Sequence, residues 1–85
     1  MYDAVMTRPY TDTRTDQGRI RFLLDGGVVV LVTEGPGWQR TQRFISLDDA
    51  ALGLALNPQV PQELYLQALG ELCHQISFFG QRGAA

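Results

Sequence analysis

The run Val28-Val29-Val30-Leu31-Val32-Thr33 constrains this chain more than any other stretch. Branching at Cβ stiffens a side chain against a helical turn, whereas a pleated strand accommodates it. A run with no polar alternation suits a strand covered on both faces, and therefore a central one. Turn signals bracket it. Asp25-Gly26-Gly27 comes before, and Asp-Gly is a favoured hairpin turn because its residues tolerate positive φ. Glu34-Gly35-Pro36-Gly37 comes after, where proline presets φ at one central position and glycine supplies positive φ at the next.

A central strand between two tight turns calls for antiparallel neighbours. Upstream, Arg19 to Leu24 alternates, with Ile20, Phe22 and Leu24 on one face and Arg19 and Arg21 on the other. Downstream, Trp38 to Ile45 alternates less cleanly, because Phe44 and Ile45 are adjacent. Residues 19–45 thus predict an antiparallel meander of three strands, or four if Tyr2–Met6 adds an edge strand. Residues 7–18 carry Thr, Asp and Arg with little apolar content. They read as a loop or flexible arm, so residues 1–18 are expected to form a polar N-terminal arm or an edge strand.

The period then changes from two to 3.6. Ser46 is a natural N-cap, and Asp48 and Asp49 stand where the helix dipole favours negative charge. Leu47, Ala50, Ala51, Leu54 and Ala55 share one face of a short helix, with Leu52 and Leu56 towards the other, as if it were wedged between neighbours. Asn57-Pro58 ends it. A second helix begins at Pro61 and is expected to stop at Gly80. Tyr65, Leu66, Ala68, Leu69, Leu72, Cys73, Ile76 and Phe79 fall within an arc of roughly 160° on it. The expectation is a single two-layer α+β domain over residues 1–85: the meander at 19–45, two helices at 46–80 packed on one sheet face, and a tail at 81–85.

Several chemistries drop out by counting. One cysteine, Cys73, forbids an internal disulfide, and one histidine, His74, forbids a single-chain Cys/His zinc cage. All seven basic residues are arginine. Without lysine the chain has no Schiff-base residue and no Walker-type phosphate loop. The balance of 45% hydrophobic and 19% charged residues, with net charge −2, is that of a globular chain. It argues for neither a membrane nor a nucleic-acid partner. Residues 1–8 lack the basic start and apolar stretch of a signal peptide, and a lone cysteine suits a reducing compartment, so a cytoplasmic location is expected.

Adjacent helical residues diverge by about 100°, so Cys73 and His74 do not face each other as a dyad. The pattern makes Cys73 a buried thiol and His74 a solvated side chain. Asp48 and Asp49 are accounted for by helix capping, and Asp25 and Glu34 by turns. No catalytic, cofactor or metal residue emerges, and a non-enzyme without a cofactor is expected.

Two surfaces remain. If both helices cover one sheet face, Val28, Val30 and Val32 need a cover on the other, and Leu31, Trp38 and Phe78 complete a candidate interaction surface. Either a partner supplies that cover, or the N-terminal segment folds back with Tyr2, Val5 and Tyr10 as a lid. The second surface is Arg19, Arg21, Arg40 and Arg43 beside Trp38, a patch able to hold an anionic ligand or a nucleic-acid backbone. The leading expectation is a small protein–protein interaction module that self-associates through the free sheet face or edge, of the kind a bacterial or phage accessory protein would be. Nucleic-acid or anion binding is the alternative.

Overall fold

The computed structural model describes residues 7–84, with side chains from 8 to 77. Four strands, β1 (Thr7–Thr15), β2 (Gly18–Asp25), β3 (Val28–Gly35) and β4 (Trp38–Phe44), precede two helices, α1 (Leu47–Ala55) and α2 (Gln62–Ala84). The strands form one antiparallel sheet in the order β1-β2-β3-β4. Both helices pack on the same face, α1 over β3 and β4 and α2 over β1 and β2. The two-layer α+β arrangement read from the sequence is therefore the fold.

The fourth strand is β1, an edge strand within residues 1–18. Tyr2–Met6 lies outside the described residues, and the stretch read as a polar arm is β1 itself. Its inward positions are threonines rather than aliphatics: Thr11 is 7% exposed and Thr13 1%. Threonine is polar by count yet branched at Cβ, so it suits a strand even where, as at Thr11, its buried hydroxyl has no partner. The Thr13 hydroxyl donates to Glu71 Oε1 of α2 at 2.8 Å. Between β2 and β3 the two-residue turn forms at Gly26 and Gly27, both with positive φ (60° and 108°), as a tight hairpin requires.

The core lies between sheet and helices. Ile20 and Phe22 of β2 and Val29 and Leu31 of β3 meet Ala50 and Leu54 of α1 and Leu64, Ala68 and Leu72 of α2. Gly53 leaves room for the Phe44 ring, which a Cβ at that position would strike. The Ser46 hydroxyl accepts the Asp49 amide at 3.1 Å, making the cap that the sequence advertises. Where α1 ends, Asn57 Nδ2 donates to the buried Thr33 hydroxyl at 3.3 Å, and that hydroxyl donates to the Arg40 carbonyl at 3.4 Å. The interhelical turn is thereby tied to the centre of the sheet.

The helices are turned from the orientation that their apolar arcs suggest. On α2 the sheet covers Leu64, Ala68 and Leu72, while Leu66 is 53% exposed, Ile76 42%, and Cys73 lies in solvent rather than in the core. An arc of roughly 160° is wider than one sheet can cover, so something else must choose which edge is buried. Polar bonds to β1 make that choice, since Gln75 Nε2 donates to the Tyr10 carbonyl at 3.0 Å and Glu71 receives Thr13. Likewise Leu52 and Leu56 face outward on α1, 59% and 72% exposed, so α1 is not wedged between two layers. Finally, α2 runs through Gly80 and Gly83 to Ala84, because each glycine costs a helix only about 1 kcal/mol and no proline follows.

This rotation is testable. Leu64→Ala should lower unfolding stability by about 2–5 kcal/mol, as loss of a closed core side chain does. Leu66→Ala, measured in protein dilute enough to be a single chain, should stay within about 0.5 kcal/mol. Urea denaturation of both variants checks the pair, and equal losses would contradict the orientation of α2.

Candidate functional site

Strand register assigns each candidate residue to a face. With both helices on one side, the open face carries Asp12 and Arg14 of β1, Arg19, Arg21 and Leu23 of β2, and Val28, Val30, Val32 and Glu34 of β3. From β4 it takes Gln39, Thr41 and Arg43. Arg14 is opposite Arg19, which is opposite Glu34, which is opposite Gln39; the next row reads Asp12, Arg21, Val32, Thr41. Arg19, Arg21 and Arg43 of the arginine patch thus share one surface, joined by Arg14, which sequence reasoning missed because β1 was taken for an arm.

Arg40 and Trp38 stand on the other face, in line with Thr33 and Gly35. Trp38 rests on Gly35, where a Cβ would collide with its indole. Around the end of the sheet, Trp38 still reaches one cleft of about 460 Å³ together with Arg14, Asp16, Arg19 and Glu34. The candidate interaction surface divides as well. Val28, Val30 and Val32 are on the open face, whereas Leu31 is fully buried against the helices and the side chain of Phe78 lies outside the described residues. Tyr10 packs on the helix-side core, not over the open face as a lid; Tyr2 and Val5 are outside the described residues.

The open face needs less cover than its valines suggest. Val30 and Val32 are each only 7% exposed in the single chain. Their register neighbours are Leu23 and Arg43 on one row and Arg21 and Thr41 on the other. The apolar stems of long charged side chains shield aliphatic neighbours in this way.

Two of the arginines are engaged. Arg19 grips Asp12 with both ends of the guanidinium, Nε to Oδ1 at 2.9 Å and Nη2 to Oδ2 at 2.7 Å. Arg43 reaches Asp25 at 3.6 Å. The hydrogen bond from Arg19 holds the Asp12 carboxyl below its ordinary range, aided by the charges of Arg19, Arg14 and Arg21. The same bond raises the Arg19 guanidinium further.

A second cleft, of about 600 Å³, runs between β1 and α2 and holds Thr11, Asp12, Gln67, Glu71 and His74. Among the described residues no three His, Cys, Asp or Glu side chains converge as metal ligands. No described helix is long and apolar enough to cross a membrane. Comparison with protein-family models, curated proteins and solved structures returns no match for this chain.

The Asp12–Arg19 pair has a pH signature. A carboxylate held low in the folded chain adds stability that is present above its unfolded value and lost as pH falls through the folded one. Both partners are partly exposed, 26% and 43% at the side chain, so Asp12→Asn should cost less than about 1 kcal/mol at neutral pH. The difference from the parent should vanish on acidification to about pH 2, read by urea unfolding at both pH values. A deficit that persists in acid would contradict the ion-pair account.

Proposed function

We propose that this chain is a non-catalytic protein-interaction module that works as a self-associated unit. The observation that carries the reading is the outer surface of the helix layer. Leu52 and Leu56 of α1 and Leu66 and Ile76 of α2 are large aliphatics between 42% and 72% exposed. A domain of 85 residues buries a modest share of its surface, and small domains commonly make up the shortfall by associating. Scattered single aliphatics need no explanation, but Leu52 and Leu56, one turn apart on the outer side of α1, make an aliphatic pair of the kind a contact surface uses.

The carboxylates support a non-catalytic reading because they have structural employment. Asp12 and Asp25 bond arginines, Glu34 Oε1 accepts from Gln39, and Glu71 receives Thr13. The valines of the open face are already shielded, which shifts the expected contact from that face to the helix layer and the sheet edge.

Sedimentation equilibrium across the micromolar range tests the reading. The average mass should rise with concentration from that of one chain towards that of two. A mass that stays at one chain throughout would overturn it.

A further inference from the structure

We propose that the outer edge of β4 pairs antiparallel with the same edge of a second copy, Thr41 opposite the partner's Thr41, to make a continuous eight-stranded sheet. This rests on the self-association reading and specifies how it is achieved.

The two edges of the sheet are protected very differently. β1 carries Pro9, breaks register at Tyr10 and is flanked by α2, whose Gln75 occupies the Tyr10 carbonyl. Proline, a bulge and a covering helix are the usual means of blunting an edge. β4 has neither proline nor bulge: its seven residues pair with β3 in unbroken register, and α1 lies on its helix-side face. A long, regular edge with a row of unpaired main-chain groups is a template for another strand.

The direction of that row follows from one bond. The Arg40 carbonyl accepts the Thr33 hydroxyl, so it points inward to β3. Main-chain groups alternate along an antiparallel strand, and those of Gln39, Thr41 and Arg43 therefore point outward. Antiparallel pairing about Thr41 sets each of these three against an outward residue of the partner, as the hydrogen-bond pattern demands.

The side chains are complementary in that register. Trp38-Gln39-Arg40-Thr41-Gln42-Arg43-Phe44 has nearly the same chemistry read from either end. Arg43 meets the partner's Gln39, Arg40 meets the partner's Gln42, and Trp38 meets the partner's Phe44. No arginine faces an arginine, and aromatic and Thr–Thr pairs are favourable across strands. Slipping by two residues one way sets Arg40 against the partner's Arg40; slipping the other way breaks both aromatic pairs.

A polar vacancy marks the same place. Gln42 Oε1 is buried and accepts no hydrogen bond, while Arg40, on the same face, makes no ion pair among the described residues. Pairing about Thr41 brings the partner's Arg40 beside Gln42. The carboxamide turns about its soft terminal torsion to meet the guanidinium.

The helices fit as well. A two-fold axis perpendicular to the sheet keeps both helix layers on one side. With strands about 4.8 Å apart and α1 resting over β3 and β4, the two α1 axes come within about 10 Å, the spacing of packed helices. The pairing thus brings together the helices that carry Leu52 and Leu56.

Cross-linking tests the register. In a Cys73→Ser background, Thr41→Cys treated with a short bifunctional thiol reagent should yield mostly covalent dimer at micromolar concentration. Gln39→Cys alone should not, because the two copies of residue 39 are offset by about 13 Å along the strands. Gln39→Cys mixed with Arg43→Cys should cross-link again. As a second handle, Thr41→Pro removes an outward donor that the single chain does not use. It should keep the circular dichroism of the parent and raise the dissociation constant roughly tenfold or more, as loss of main-chain hydrogen bonds implies. If the parent sediments as a dimer but Thr41→Cys stays uncrosslinked, the β4 pairing is wrong and self-association stands. If the parent is monomeric throughout, both fall.

Discussion

Everything in this structure follows from a strand that must be covered on both faces. β3 has no polar alternation, so neither face tolerates water, and the chain covers them by different means. One face receives α1 and α2, and Val29 and Leu31 close into the core. The other receives no layer among the described residues. Instead Val30 and Val32 are flanked by Arg21, Leu23, Thr41 and Arg43 from the two adjacent strands. The arginines of that face are thus explained first as cover for valine, with Asp12 and Asp25 balancing their charge. A solvated face built this way shields its apolar strand without a second layer.

Aliphatic surface stays exposed on the helix side because two helices carry more of it than one four-stranded sheet can hide. The hydrogen bonds that join β1 to α2, Thr13 donating to Glu71 and Gln75 donating to the Tyr10 carbonyl, hold the rotation of α2, and that rotation leaves Leu66 and Ile76 outside. On α1, the close packing of Gly53 on Phe44 and the burial of Ala50 and Leu54 leave Leu52 and Leu56 outside. In the proposed dimer the edge of β4 extends the sheet and sets the two α1 helices side by side.

Much of the fold was legible from residues alone. The Val28–Thr33 run, its two glycine turns and the Ser46 cap each act through local sterics or a single side chain, and local signals survive without tertiary knowledge. β1 was illegible because its buried positions are threonines, and one of them, Thr13, finds its partner in Glu71, 58 residues away. The facing of α2 was equally hidden, for a broad apolar arc admits several rotations and distant polar bonds choose among them. That Arg19 and Arg21 share the open face could be read from alternation along one strand. The placement of Arg40 and Trp38 required the register of the Pro36–Gly37 turn, which pairs Gly35 with Trp38. That signal was present in the sequence, but it had to be carried across the turn to assign a face.

The central claim is that β4 is the edge through which the chain completes its surface. Native-state amide hydrogen exchange of the backbone, compared between dilute and concentrated protein, addresses it most directly. The Thr41 amide, which points outward in the single chain, should exchange quickly when dilute and slow markedly as concentration rises, with the amides of Gln39 and Arg43 following it. Fast exchange at these three positions at every concentration, under conditions where the protein is associated, would contradict the account.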